Sequence, residues 1–244
     1  MDSMNIKEMH FDFKQKLNKI DSAQYRNFRV PEIDWKLNDA QDVYIKMIAE
    51  PRLRKQYGFE SSQRSIDDIR TLVTQTKISL YNDKKENIDV AKLPDDYMYF
   101  VSGKVQAKKD ICEALLNCIV RQHQETFQDS PFDRSSFIWR EINIAFVDGG
   151  IKVFTGNDFS VIALTLDYIR RPAFMHNAGS FMISERGKED GTYTLPSGVE
   201  LHGTKDCELP EHTHREIVDL AVLITTGDLS SDYSMKQAKT DMTN

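Results

Sequence analysis

The strongest constraint on the fold of this chain is a period-two alternation of apolar residues within residues 142–168. The alternating residues are Ile142, Ile144, Phe146, Ile162, Leu164, Leu166 and Tyr168. Gly149-Gly150 and Gly156-Asn157 lie between them, and a Gly-Gly pair is favoured in two-residue hairpin turns because both positions need positive φ. The pattern predicts a three-stranded antiparallel meander with one apolar face.

Amphipathic helices are predicted before this β region. The clearest begins near Pro31, which suits the first turn of a helix, and its apolar residues recur at steps of four and three. These residues are Ile33, Leu37, Ala40, Tyr44 and Met47. Another helix is expected from about Asn5 to Leu17, and a third, capped by Ser65, over residues 65–73. Its inward residues would be Ile66, Ile69, Leu72 and Val73.

Four further segments have weaker patterns. Residues 80–90 read as a polar excursion, and residues 93–107 as a turn that leads into a strand. Residues 109–127 fit either a helix or a strand. Residues 181–201 predict a hairpin with an exposed charged tip at Glu185–Asp190.

The stretch CELPEHTHREIVDLAVLI, residues 207–224, predicts a C-terminal helix. Thr213 and Glu216 have the spacing of a capping box, in which each side chain satisfies an orphan backbone N–H. Apolar residues then follow at helical spacing, namely Ile217, Leu220, Ala221 and Ile224. The polar tail Ser230–Asn244 is expected to be mobile in a free monomer and to order against a neighbour.

The same stretch raises the question of a metal site. His212 and His214 are two residues apart, so they point to opposite sides of a regular helix, and the His-Glu-x-x-His order is missing. A looser site made of His202, Cys207, His212 and His214 stays open, although its spacing matches no standard zinc pattern. We therefore expect no metal and no cofactor, with a metal-dependent hydrolase as the least favoured alternative.

Length and composition favour a globular chain of 244 residues with 40% hydrophobic and 29% charged residues. The predicted fold class is α+β: N-terminal helices, a central antiparallel β meander or sandwich, and a C-terminal capped helix. Residues 1–80 would be mainly helical and residues 81–244 β-rich, together forming one composite domain. No apolar run approaches the roughly 20 residues of a membrane span, and no secretory signal is expected. The three cysteines are expected to be buried thiols.

The sequence shows no pattern of catalytic residues. A phosphate-binding loop and a Gly-x-Ser-x-Gly elbow are both missing, and the pairs Asp67-Asp68 and Asp95-Asp96 are expected to be solvated. We therefore expect a protein that is not an enzyme. A receptor- or glycan-binding module of a phage tail is the alternative, with Tyr97, Tyr99 and Tyr193 as candidate stacking residues.

Five segments in a fixed order carry a resemblance. They are LNDAQDVYIKMI (37–48), SQRSIDDIRTLV (62–73), KLPDDYMYFVSGKVQ (92–106), LTLDYIRRPAF (164–174) and LPEHTHREIVDLAV (209–222). Together they resemble the head-to-tail connector ring proteins of tailed phages, in particular those of the crAss-like phages of gut Bacteroides-group bacteria. The resemblance covers roughly residues 30 to 225, and the family has no catalytic residues to carry over.

The resemblance implies a structural virion protein of the neck or tail, made in the bacterial cytoplasm. It implies a homo-oligomeric ring of about twelve copies that contacts the portal and other connector or tail proteins, with no membrane contact. Genomic DNA would pass through the channel, and a net charge of −6 per chain would let it slide if the lumen is acidic. The expected interface residues are Arg170, Arg171, Glu185, Arg186, Lys188, Tyr233 and Lys236.

Overall fold

A computed structural model describes residues 4–20, 28–49, 67–83, 88–121, 133–156, 158–181 and 191–241. The chain forms two compact units. The barrel unit is Leu72–Arg171, and the terminal unit combines Met1–Thr71 with Pro172–Asn244. The division into residues 1–80 and 81–244 stays a prediction.

Seven strands of the barrel unit close into a barrel in the order β1-β2-β6-β5-β4-β3-β7. Their bounds are β1 Val73–Asp83, β2 Ile88–Lys92, β3 Tyr97–Lys109, β4 Cys112–Val120, β5 Glu141–Val147, β6 Gly150–Phe154 and β7 Ser160–Arg170. Neighbours are antiparallel except β4 and β5, which are parallel. Because the sheet closes on itself, each of the seven strands has a neighbouring strand on both sides. Two of the ladders are short: β1 pairs with β2 only over Leu80–Asp83, and β4 pairs with β5 only over Asn117–Val120.

The central antiparallel meander or sandwich predicted from the sequence is therefore wrong. β5 and β6 do form a hairpin, with Val147 opposite Gly150. Its turn is Asp148-Gly149 and not the predicted Gly149-Gly150, because Gly150 already belongs to β6 and, of the two glycines, Gly149 alone has a positive φ. β6 pairs with β2, however, and β7 pairs with β1 and β3. Local alternation identifies a strand and its apolar face, but it does not determine which strand lies beside it.

Two ambiguous segments are barrel strands. The polar excursion predicted at residues 80–90 is wrong at both ends, because residues 80–83 belong to β1 and residues 88–90 to β2, where Tyr81 pairs with Val90. Residues 84–87 between them lie outside the described residues. The segment at 109–127 contains β4, so the strand alternative is confirmed for Cys112–Val120. The segment looked like a loop because its residues are mostly polar, and Tyr81 and Asn82 at the end of β1 are exposed. The predicted turn and strand at residues 93–107 are confirmed by β3.

The inner face of the barrel is filled by apolar side chains. Its buried residues include Val105, Leu116, Ile142, Ile144, Ile151, Leu164, Leu166 and Tyr168. Ile162 is 45% exposed and does not join them. Gly150 is required by close packing, because a Cβ there would lie 2.9 Å from the carbonyl oxygen of Ala91 on β2.

Helix α1 of the terminal unit spans Ile6–Ile20, close to the predicted range. Its first turn is held by a reciprocal cap: Glu8 N donates to Asn5 Oδ1 at 3.0 Å, and Asn5 N donates to Glu8 Oε2 at 3.1 Å. The buried residues are Ile6, Met9, Phe13 and Leu17. One face of α1 is thus buried in the terminal unit.

Helix α2 spans Val30–Ala49, which confirms the second predicted helix. Four residues of the predicted stripe are buried, whereas Met47 is half-buried and Ile48 takes the inward position. Two polar side chains, Asp34 and Gln41, are buried on the same helix. The sequence pattern did not predict these two.

The helix predicted at residues 65–73 differs in its second half. Residues 67–69 are helical and Arg70–Leu72 form a 3-10 turn, with Ile69 and Leu72 buried as expected. Val73 instead begins β1 and is 43% exposed. The predicted cap Ser65 and the inward Ile66 lie outside the described residues.

Helix α3 spans Glu211–Asp241 and begins two residues before the predicted cap. Thr213 is not the N-cap, because both its N–H and its hydroxyl donate to the carbonyl of Pro210, at 2.9 and 2.7 Å. The ring of Pro210 disfavours a helical conformation at the preceding residue, Leu209, which is consistent with a helix that begins at Glu211. The backbone of residues 230–241, predicted as a tail, is helical. Of the predicted inward residues, Ile217 and Ala221 are buried, joined by Val218 and Val222.

A short hairpin completes the terminal unit. Strand β8, Thr192–Thr194, pairs with β9, Glu200–His202, around a tip at residues 195–199. The charged tip predicted at Glu185–Asp190 lies outside the described residues. No helix in the described part of the chain is long and apolar enough to cross a membrane.

Candidate functional site

A buried polar cluster lies inside the terminal unit around Asp34, whose side chain has no exposed area. His10 Nε2 lies 2.6 Å from Asp34 Oδ1, and the Tyr193 hydroxyl donates to Oδ2 at 2.7 Å. The backbone N–H of Asn177 donates to both carboxylate oxygens at 3.1 Å. One carboxylate therefore joins α1, α2, β8 and the segment that follows the barrel.

The cluster changes the acidity of its neighbours. Burial and the hydrogen bond to Asp34 raise the pKa of Tyr193, so its hydroxyl stays protonated and donates. Burial lowers the pKa of His176, and Lys205 lowers it further, although the charge of Asp34 and a backbone hydrogen bond act in the opposite direction. With Asp34 fully buried and held from several elements, the cluster is suited to holding the unit together.

The residues predicted to form an interface are only partly within the described structure. Arg170 is half-buried at the end of β7, where it pairs with Tyr97, and Arg171 is exposed just after it. The Arg171 N–H donates to the carbonyl of Asp96 at 2.6 Å. Glu185, Arg186 and Lys188 lie outside the described residues. The backbones of Tyr233 and Lys236 belong to α3, and their side chains are not described.

Of the four candidate metal ligands, the three histidines have separate partners, and Cys207 is a half-buried free thiol. His212 Nε2 lies 2.7 Å from Asp68 Oδ1, and His202 Nε2 lies 3.8 Å from Glu200 Oε2. The ring nitrogens of His214 are each 2.9 Å from a carbonyl oxygen, those of Met4 and Leu209. Within the described ranges, no three His, Cys, Asp or Glu residues are grouped as a metal ion would need.

The acidic pairs differ from the expectation in one place. Asp68 is buried at 1% exposure and bonded to His212, so the expectation that Asp67-Asp68 is solvated is wrong for its second member. Asp95 and Asp96 are exposed, and Asp96 accepts a hydrogen bond from Tyr168 at 2.9 Å. An acid in a first helical turn is usually hydrated, but Asp68 lies within reach of a histidine from α3.

The rings of two candidate stacking residues, Tyr97 and Tyr193, pack against other aromatic residues. Tyr97 stacks on Phe146 with ring centroids 6.0 Å apart. Tyr193 contacts Phe181 at 5.7 Å, and its hydroxyl belongs to the Asp34 cluster. Tyr99 is half-buried on β3.

Large apolar residues are exposed at one end of the barrel. The turn between β3 and β4 carries Ile111, which is 95% exposed, and the loop before β5 carries Ile138 at 84% and Trp139 at 79%. β4 and β5 are parallel, and Glu141 at the start of β5 lies opposite Asn117 within β4, so the loop before β5 lies toward the end of the barrel at which β4 begins. We call it the Ile111 end. These residues belong to none of the periodic stretches, so no sequence pattern predicts that they are exposed.

The three cysteines differ in exposure: Cys112 is exposed, whereas Cys118 and Cys207 are half-buried. The expectation of a buried thiol is therefore wrong for Cys112. Burial raises the pKa of Cys118 to about 12 and that of Cys207 to about 11. In the native protein at pH 8 we expect Cys112 to react with a thiol reagent at least about tenfold faster than the other two, because the thiolate is the reactive form. Mass spectrometry of a labelling time course would measure this. Equal rates for all three thiols would contradict the prediction.

Comparison with known proteins adds no relative. No protein-family model matches the chain, and no curated protein is significantly similar to it.

Proposed function

We propose that this chain is a structural virion protein that forms a ring between the portal and the tail of a phage and encloses the DNA exit channel. The resemblance of five ordered segments to crAss-like connector proteins suggests this role. It also suggests about twelve copies in a ring. The proposal involves no catalytic step, metal or cofactor.

The observation that carries the proposal is the exposed apolar surface of the barrel. Ile111, Ile138 and Trp139 are each more than three-quarters exposed at the Ile111 end. Leu115, on β4 below Ile111, is also 56% exposed. Large apolar patches on a protein surface mark interaction sites, because leaving them in water costs free energy. A structural subunit that buries this end against another protein fits the observation.

The closed barrel restricts how such contacts form. Each of its seven strands already has a neighbouring strand on both sides, which disfavours the addition of a strand from another chain. The barrel unit then makes its contacts with other chains mainly through loops, turns and outward side chains. The net charge of −6 per chain supports passage of DNA without tight binding, since tight binding requires clustered lysines and arginines. A basic lumen in an assembled ring would contradict this part of the proposal.

The test is the mass of the purified chain in solution, measured by light scattering alone and after mixing with a candidate portal protein. We expect an assembly of about twelve times the 28.2 kDa chain mass. It should form either from the chain alone or after the portal protein is added. Negative-stain microscopy of the same sample should then show rings with a central channel. A stable monomer that ignores the portal would overturn the proposal.

A further inference from the structure

The loop before β5 presents two apolar side chains on a rigid support. Ser136 and Glu141 exchange backbone hydrogen bonds of 2.8 and 3.1 Å, which closes a four-residue turn over residues 137–140. Phe137 packs against the barrel core, with its ring 5.9 Å from that of Phe159. Ile138 and Trp139 point into solvent at 84% and 79% exposure. We call these two residues the Ile138–Trp139 tip.

The terminal unit carries an apolar groove around Trp35, which is 48% exposed on α2. Cavities of about 260 and 400 Å³ lie beside Trp35, and both are walled by Leu195 and Pro196 from the tip of the β8–β9 hairpin. Phe174 lines the smaller cavity, and Tyr193 lines the larger one. We call this surface the Trp35 groove. Each cavity is of a size to take one large side chain.

Charges favour contact between these two surfaces. The residues that line the groove include three carboxylates, Glu32, Asp39 and Asp42, against one lysine, Lys36. Arg140, directly after the Ile138–Trp139 tip, is exposed. A basic side chain beside an apolar anchor is complementary to an apolar groove with an acidic rim.

Building on the proposed ring, we propose that the Ile138–Trp139 tip of one copy inserts into the Trp35 groove of the next copy. Arg140 then approaches the acidic rim of the groove and pairs with Asp39. The tip and the groove are different surfaces on different units, so the contact is heterologous, and such contacts close into a ring when the rotation between copies allows it. A central aromatic anchor in an apolar pocket is the usual form of an interface hot spot.

The first test uses two variants that each disable one surface. Trp139→Ser removes the anchor of the tip, and Trp35→Arg places a charge in the groove. We expect each variant alone to remain monomeric under conditions in which the wild-type chain forms rings. Mixed together, they should form a one-to-one dimer and stop, because each pair retains a single intact tip and a single intact groove.

The second test does not depend on removing an apolar side chain. Arg140→Glu and Asp39→Lys should each weaken self-association at least about tenfold, and the chain that carries both should recover most of the wild-type affinity. Analytical ultracentrifugation over a concentration series measures all three. Circular dichroism confirms that each variant is folded.

Matched controls use exposed apolar residues outside the tip and the groove. Val101→Thr on β3 and Leu223→Gln on α3 remove apolar surface that is 49% and 66% exposed, and both should leave assembly unchanged. Rings that survive every tip and groove variant would overturn this inference and leave the ring function standing. A wild-type chain that forms no ring would overturn the proposed function itself. If the wild type forms rings but the charge reversals show no mutual rescue, the pairing of Arg140 with Asp39 is wrong.

Discussion

An Asp34→Ala variant should lower the free energy of unfolding of the terminal unit by about 3–5 kcal/mol. Asp34 is fully buried and accepts hydrogen bonds from Tyr193 and the backbone of Asn177, while His10 lies 2.6 Å away. Removing the carboxylate leaves these buried groups without a hydrogen-bond acceptor. Each buried polar group left unpaired costs about 1–3 kcal/mol.

The chain offers a convenient probe for this measurement. It contains two tryptophans, Trp35 in the terminal unit and Trp139 in the barrel unit. In a Trp139→Phe background, urea unfolding followed by the fluorescence of Trp35 reports on the terminal unit. Asp39→Ala, a half-buried acid on the same helix, is the matched control and should shift stability by less than about 1 kcal/mol. A similar loss in both variants would contradict a special role of Asp34.

A Leu116→Ala variant should lower the free energy of unfolding of the barrel unit by about 2–5 kcal/mol. Leu116 lies on β4 with no exposed area, inside the apolar cluster that fills the barrel. Truncation removes its contacts and leaves a cavity between strands that are fixed by their hydrogen-bond ladders.

The preceding residue on the same strand provides the control for the barrel. Leu115 points outward at 56% exposure, so Leu115→Ala should change stability by less than about 1 kcal/mol. Fluorescence of Trp139 in a Trp35→Phe background, followed through a urea titration, gives both values. Comparable effects at the two neighbouring positions would show that the inner face of β4 is not the packed core described above.

The sequence predicted individual helices and strands better than it predicted which strands lie side by side. Helices α1 and α2 were predicted because caps and apolar stripes act within a few residues, as in the reciprocal bonds of Asn5 and Glu8. The barrel was missed because closure depends on distant pairs, such as Thr76 with Leu166 and Cys118 with Ile142. No local pattern specifies such pairs, and a parallel neighbour such as β5 is joined to β4 by a long connection.

The candidate sites were missed for different reasons. Asp34 occupies an inward position between Ile33 and Leu37, but an isolated acid on a helix is normally solvated, and its partners come from three distant segments. Ile138 and Trp139 were missed because they belong to no periodic stretch, and their exposure is visible only in the folded barrel. The signal in the sequence that could have identified the tip is the pair of adjacent bulky apolar residues itself.

The arrangement of the two units also determines the order in which the chain folds as it is synthesised. All seven barrel strands lie between residues 73 and 170, so the barrel has its complete set of strands before α3 leaves the ribosome. Helices α1 and α2 are made first, yet both pack against α3, which is made last. A nascent chain thus carries a finished barrel beside two helices whose apolar faces are still uncovered. At about 5–20 residues per second, this interval lasts several seconds, and during it those faces are targets for chaperones.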